Sequence, residues 1–119
     1  MWGTRLEPIE YARKAVDVAS DMQAADILLL DIRNVCSFAD CFVIATAQSR
    51  RQMDSLSEDI EGKMKEAGAV LHHREGTLVS GWILLDFGDV IVHLFSPEER
   101  EHYNLERHWA EGQEVVRIQ

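Results

Sequence analysis

Apolar residues recur every three or four positions in two long stretches of the chain, a spacing that places them on one face of an α-helix. The first stretch begins at Pro8, a residue favoured at the first helical position, and ends near residues 21–24. The second follows Ser49 and Gln52, a capping-box pair, and Gly68 supplies its left-handed end. The sequence therefore predicts two amphipathic helices, the second about 18 residues long.

Shorter apolar runs predict the strands. Residues 27–32 and 41–46 are almost continuously apolar, which is typical of strands covered on both faces. Residues 82–86 and 90–95 flank a tight turn that contains Gly88, and they predict an antiparallel hairpin. A further strand is expected near residues 69–72, after a right-handed crossover through the second helix.

The C-terminal part of the chain begins with another helix start, in which Ser96 is the N-cap, Pro97 the first helical residue and Glu99 the N3 residue. This helix is expected to break at Asn104. Residues 111–119 are predicted to be a polar tail, part of which can lie as an extended segment. The element order α-β-β-α-β-β-β-α predicts an α/β fold with a mixed, roughly five-stranded sheet and helices packed on it. We expect residues 1–119 to form a single domain with its core at about 8–110.

The net charge of the chain indicates which classes of partner it is suited to bind. The chain carries 12 basic and 21 acidic residues, for a formal net charge of −9. Nucleic acids and anionic membranes attract clustered Lys and Arg, so both are disfavoured as main partners. No apolar run approaches the roughly 20 residues that span a bilayer, and residues 1–8 do not resemble a signal peptide. A cytoplasmic location is expected.

Acidic residues do not form a catalytic pattern. The triplet Asp86-Phe87-Gly88 matches the magnesium-binding triplet of kinases, but the other kinase motifs are absent, so we interpret it as a hairpin turn. A nucleotidyltransferase needs two carboxylates on one strand face, whereas Asp86 and Asp89 lie three apart across the turn. We expect no enzymatic activity, no catalytic residue and no cofactor. A small nucleotide-binding or nucleotidyltransferase-like enzyme remains the alternative.

Histidine and cysteine spacing does not predict a metal site. His72 and His73 are adjacent, so on a strand they point to opposite faces, and no histidine pair has the i, i+4 spacing of a helical zinc site. Cys36 and Cys41 lack the paired spacing of a zinc ribbon and are interpreted as reduced thiols.

The aromatic residues indicate more about function than the acidic, histidine and cysteine residues do. Trp82 opens a predicted strand, and Tyr103 and Trp109 lie on or beside the C-terminal helix. Such side chains anchor many protein interfaces, although a small domain also needs them in its core, and the sequence leaves both roles open. Charged neighbours, Arg100 and Glu106 among them, suggest a polar rim around aromatic anchors.

Residues 81–109 form a continuous motif, running from Gly81-Trp82 through the hairpin to His108-Trp109. This segment, together with residues 37–46 and 49–52, closely resembles the ribosomal silencing factor family, also called Iojap-related proteins. The resemblance covers about residues 8–110. Two positions depart from the family pattern: Ala47 stands where the turn before the long helix usually has glycine, and Cys41 stands where the strand usually has tyrosine.

This resemblance implies a non-enzymatic factor with a degenerate nucleotidyltransferase-like fold. It implies docking on a large-subunit ribosomal protein at the subunit interface, where the factor blocks joining of the small subunit and represses translation. It also implies a homodimer. A separate alternative is that the chain is a dimeric scaffold for another protein. Asp40 and Asp86 match recurrent acidic positions of the family. The expected partner-binding residues are Trp82, Asp86, Tyr103, Asn104, Leu105, Glu106 and Trp109.

Overall fold

The structure is a computed structural model that describes residues 6–119 of the chain. It contains four helices and six strands within these residues. In chain order they are α1 (Pro8–Asp21), β1 (Ala25–Asp31), β2 (Cys41–Thr46), α2 (Arg50–Glu66), β3 (His73–Thr77), β4 (Trp82–Asp86), β5 (Val90–Phe95), α3 (Pro97–Tyr103), α4 (Leu105–His108) and β6 (Gln113–Ile118). Within the described residues, no helix is both long and apolar enough to cross a membrane.

Helix starts follow the predicted capping pattern. The Ser49 hydroxyl accepts a hydrogen bond from the backbone N–H of Gln52 at 3.1 Å, which satisfies an otherwise unpaired donor at the start of α2. The Gln52 side chain accepts from the backbone N–H of Gln48 rather than that of Ser49, and its amide donates to the carbonyl of Met22 at 3.1 Å. One side chain therefore caps α2 and ties it to the end of α1.

The strands form one mixed sheet in the order β3-β4-β5-β2-β1-β6. β2 and β5 run parallel, and the other neighbouring strands run antiparallel. The mixed sheet is confirmed, but it has six strands rather than about five. The sixth is β6, so the segment at 111–119 that could lie extended is a paired strand of the sheet. β6 pairs with β1, and Val115 and Val116 pack against the core, so β6 covers what would otherwise be a hydrophobic strand edge.

The strand expected near residues 69–72 begins later, at His73. Ala69 and Leu71 still pack against the core, but they do so outside regular structure. β3 itself is polar, and all of its residues are exposed. Its pairing with β4 at the edge of the sheet defines it as a strand, and a pattern of hydrophobic residues cannot reveal such a strand.

The sheet has a hydrophobic cluster on each face. On one face, which we call the helix-covered face, strand residues such as Leu29, Val43 and Val92 pack with Leu56 and Ile60 of α2 and with apolar residues of α1. On the opposite face, residues of β1, β2 and β5 pack beneath the C-terminal segment and the loop that precedes β2. The two faces are therefore covered by different layers.

Candidate interaction surface

Aromatic rings line the side of the sheet opposite α1 and α2. They come from β2, β4 and β5, from the loop before β2, and from the segment that contains α3 and α4. We call this set the aromatic face; its members are Phe38, Phe42, Trp82, His93, Phe95, Tyr103 and Trp109. Strand alternation explains its origin, because every second residue of a strand points to the same side of a sheet.

The rings form a continuous chain of contacts. At one end, Tyr103 lies between Trp82 and Phe95, with ring centroids 5.8 and 5.6 Å away. Phe95 stacks with His93 at 6.1 Å, and His93 meets Phe42 edge-to-face at 5.1 Å. The other end consists of Trp109, which packs edge-to-face on Phe42 at 5.2 Å and on Phe38 at 6.1 Å. These separations lie in the range of favourable aromatic pairs.

Exposure differs between the middle and the ends of the chain of rings. Phe42, His93 and Phe95 are buried and form its floor. Tyr103 is 44% exposed at one end and Phe38 is 62% exposed at the other. Trp82 and Trp109 are half-buried between these limits. The aromatic face thus combines a rigid buried floor with two ends that are accessible to a partner.

The C-terminal helices hold the exposed ring of Tyr103 in place. Ser96 caps α3 by accepting from the backbone N–H of Glu99 at 3.3 Å, as the sequence predicts. Asn104 adopts a left-handed conformation with φ 47°, which ends α3 and begins α4, so the predicted break is confirmed. Leu105 and Trp109 then pack onto the sheet. Tyr103 is the last residue of α3, immediately before this turn.

Arg100 does not lie in the exposed rim suggested by the sequence. It is only 8% exposed, and its guanidinium donates to the Asp26 carbonyl at 2.7 Å and to the Thr46 hydroxyl at 2.9 Å. It also forms an ion pair with Glu106 at 3.1 Å. Glu106, an expected partner-binding residue, therefore has its carboxylate engaged inside the chain, and the pair locks α3 and α4 onto the sheet.

Asp86 lies on the same side of β4 as Trp82, because the two residues are separated by an even number of positions. Its carboxylate accepts from the backbone N–H of Gly88 at 2.7 Å and so supports the hairpin turn. Asp40 lies at the same end of the sheet, where its N–H donates to the carbonyl of Asp89 at 2.7 Å. The Asp86 carboxylate thus supports the hairpin turn, whereas Asp40 contributes a backbone hydrogen bond that joins the start of β2 to the start of β5.

Burial shifts the pKa of two side chains, those of His93 and Cys41. Burial lowers the pKa of His93 to about 4, so its ring is neutral at neutral pH. Burial, with added repulsion from Asp31, Asp40 and Asp89, raises the pKa of the Cys41 thiol to about 11. A protonated, buried thiol is a poor nucleophile. Cys36 and Cys41 are both free cysteines, which agrees with their interpretation as reduced thiols.

Comparison with known proteins places these features in a family. The sequence model of the family described as "Ribosomal silencing factor during starvation" matches residues 5–119. The chain belongs to the ribosomal silencing factor family. The name of this family denotes regulatory proteins rather than enzymes.

Curated relatives agree over most of the chain. The ribosomal silencing factor of Zymomonas mobilis is 37% identical over 111 residues, which cover 93% of this chain and 84% of that protein. The factor of Bacillus subtilis is 36% identical over 98 residues, 82% of this chain and 83% of that protein. The chloroplastic Iojap protein of Arabidopsis thaliana is 34% identical over 115 residues, 92% of this chain but 45% of that longer protein.

Solved structures of other proteins have the same fold as this chain. A crystal structure of a Chromobacterium violaceum protein superposes with a TM-score of 0.84 at 33% identity, covering 93% of this chain and 92% of that one. A Bacillus halodurans structure superposes with a TM-score of 0.78 at 30% identity, covering 91% and 98%.

A cavity of about 280 Å³ lies at the start of α2, beside the turn at residues 46–49. Ser49, Ser80 and Ser96 line it, but so do the carboxylate-bearing residues Glu98 and Glu99. Carboxylates repel a phosphate group, so this cavity does not favour the nucleotide-binding alternative. Within residues 6–119, no group of three or more His, Cys, Asp or Glu side chains is placed to hold a metal ion.

Sequence reasoning missed part of the aromatic face. Phe38, Phe42, His93 and Phe95 were not singled out, although they link Trp82 and Tyr103 to Trp109. Strand periodicity contained a usable signal, because His93 and Phe95 are two apart on one strand. The pairing of β2 with β5, which brings Phe42 beside His93, is a long-range contact that this signal does not contain.

Proposed function

We propose that this chain binds the large ribosomal subunit through a ribosomal protein on the subunit-joining surface and thereby prevents the small subunit from joining. The expected result is repression of translation. The proposal combines the family, whose name denotes silencing of ribosomes, with a surface that has the chemistry of a protein-binding site.

The aromatic face carries the proposal. Tyrosine and tryptophan side chains that are partly exposed over a rigid floor are typical anchors of protein interfaces, because they bury a large area at a small cost in side-chain entropy. Tyr103 and Phe38 provide exposed anchors, while Trp82 and Trp109 lie half-buried beside them. Leu105 and Asn104 fix this arrangement from the C-terminal segment.

The charge of the chain supports a basic protein partner. With a net charge of −9, the chain is attracted to basic ribosomal proteins and repelled by the phosphates of ribosomal RNA. Contact with RNA is therefore expected to be at most peripheral.

The proposed mechanism is steric and needs no covalent chemistry. The folded chain measures 46 × 31 × 24 Å along its principal axes. A body of this size, held on the joining surface of one subunit, occupies space that the other subunit requires. The proposal includes a cytoplasmic site of action.

Self-association is a separate part of the proposal. We expect a homodimer, and an exposed aromatic surface is suited to contact a second copy as well as a ribosomal protein. Sedimentation velocity of the purified chain tests this part alone. A monomer at all micromolar concentrations would remove the dimer from the proposal without affecting the docking on the large subunit.

The test of the main proposal is subunit joining. Purified large and small subunits are mixed with the chain in excess and separated by sedimentation through a sucrose gradient. We expect fewer joined ribosomes and co-migration of the chain with the large subunit. Tyr103→Ala should restore joining, whereas Val70→Ala, which changes a 64% exposed residue outside the aromatic face, should not. Unchanged joining with the unmodified chain in excess would contradict the proposal.

A further inference from the structure

His93 occupies the centre of the aromatic face. It lies on β5, opposite Leu84 of β4 and Ile44 of β2. Its ring contacts Phe42 on one side and Phe95 along its own strand. Every route through the chain of rings from Trp109 to Tyr103 therefore passes through this imidazole.

The two ring nitrogens of His93 have different surroundings. Nδ1 accepts a long hydrogen bond of 3.5 Å from the indole Nε1–H of Trp82. A neutral imidazole has one acceptor and one donor nitrogen, so the ring proton lies on Nε2. Nε2 is buried and has no hydrogen-bond partner among the residues that the structure describes.

This arrangement is costly if His93 only fills space. A buried donor without a partner destabilises a fold relative to a paired one. A leucine of similar volume fills an apolar site without this cost. The other nitrogen makes the hydrogen bond that a leucine could not make, the one to the indole of Trp82.

We propose that neutral His93 is the positioning residue of the aromatic face: its Nδ1 accepts the indole N–H of Trp82 and holds that ring beside Tyr103 in the orientation that the partner binds. This inference rests on the proposed function of the aromatic face. Burial, which lowers the pKa of His93 to about 4, keeps Nδ1 available as an acceptor at neutral pH. Fixing Trp82 before binding reduces the entropy lost when the partner docks.

Two substitutions separate positioning from space filling. His93→Leu removes the acceptor but suits the apolar site. His93→Asn places an oxygen acceptor close to the position of Nδ1, so it restores the acceptor in a side chain that does not titrate. If His93 merely packs, leucine should perform at least as well as asparagine. If His93 positions Trp82, asparagine should perform better.

The first readout uses the free protein. In ¹⁵N-labelled chain, the indole signals of Trp2, Trp82 and Trp109 are resolved by NMR at pH 7 and assigned with Trp82→Phe. His93→Leu should shift the Trp82 indole proton upfield, as expected for a lost hydrogen bond, and His93→Asn should return it towards its original position. An unmoved Trp82 signal in His93→Leu would overturn the proposal, whatever the ribosome does.

The second readout is affinity for the large subunit, measured by co-sedimentation. His93→Leu should bind about three- to tenfold more weakly, the equivalent of one neutral hydrogen bond, and His93→Asn should recover most of the loss. Equal affinity for wild type and His93→Leu would overturn the role in docking. If the wild-type chain does not bind the large subunit at all, the proposed function fails, while the indole signals still decide whether His93 positions Trp82.

Discussion

The two faces of the sheet are filled by different kinds of side chain. On the helix-covered face, aliphatic residues such as Leu29, Val43 and Val92 meet two long helices and are fully buried. On the aromatic face, a thinner layer made by α3, α4 and the loop before β2 leaves Phe38 and Tyr103 exposed.

This difference indicates that the two faces have separate roles: one stabilises the fold and the other binds a partner. Aliphatic side chains between a sheet and two helices pack densely and stabilise the fold. Partly exposed aromatic rings contribute less to stability but supply large anchors for a partner. Substitutions on the helix-covered face should therefore change folding, whereas substitutions at the ends of the aromatic face should change binding.

The largest effect on stability is expected at Leu56, a fully buried residue of α2 on the helix-covered face. Leu56→Ala should lower the free energy of unfolding by about 2–5 kcal/mol, because it leaves a cavity in a closed core. Urea denaturation monitored by circular dichroism measures this loss. The affinity of the folded variant for the large subunit should not change. If the variant is fully folded and still binds more weakly, the helix-covered face takes part in binding, which contradicts the separation of roles between the two faces.

At the exposed end of the aromatic face, Tyr103→Ala should weaken binding to the large subunit by about 1–4 kcal/mol, the range of an interface hot spot. The same change should cost little stability, since Tyr103 is 44% exposed. Trp109→Ala should affect both properties, because its ring packs on Phe42 as well. Co-sedimentation and urea denaturation, with Val70→Ala as the control, measure the two effects. A stability loss for Tyr103→Ala as large as that for Leu56→Ala would show that this ring belongs to the core.

Arg100 connects α3 to α4 and to the sheet, so its replacement tests how the C-terminal helices are held in place. Arg100→Ala should lower the free energy of unfolding by about 1–3 kcal/mol, because it leaves Glu106 and the Asp26 carbonyl without their donor; the partial exposure of these partners limits the loss. Arg107→Ala, at an exposed neighbouring position, is the matched control and should change stability little. Equal stability of the two variants would contradict the structural role of Arg100.

The smallest effect concerns pH. Burial lowers the pKa of His93 from 6.5 to about 4, so between these values the unfolded chain binds a proton that the folded chain does not. The free energy of unfolding should therefore fall as the pH drops through this window. Between pH 7.5 and 5.5, the His93 contribution is about 1 kcal/mol. Urea denaturation at both pH values should show that His93→Leu lacks this part of the loss, whereas His102→Gln, at an exposed position, retains it.

Much of the fold follows from local signals in the sequence. The caps at Ser49 and Ser96, the break at Asn104 and the hairpin around Gly88 each depend on neighbours within a few residues, and the structure confirms them. β3 is a polar edge strand, so its pairing with the neighbouring β4 identifies it and a hydrophobic pattern does not. The place of β6 in the sheet depends on its pairing with β1, which lies far away in the sequence.

The candidate interaction surface, like the fold, was predictable from the sequence only in part. Trp82, Tyr103 and Trp109 were identified from residue type and from the resemblance of their segment to the family. The burial of Arg100 was not predictable, because its partners Asp26 and Thr46 lie far away in the sequence. The central place of His93 likewise depends on the parallel pairing of β2 with β5.

Hydrogen exchange of the chain with and without the large subunit decides most directly which face binds, since it reports on both faces in one experiment. Binding through the aromatic face should slow the exchange of backbone amides in residues 33–40 and 97–109, which contain or support the exposed rings, and should change exchange in α1 and α2 little. Slower exchange confined to α1 and α2, or no change anywhere in the presence of saturating large subunit, would contradict it.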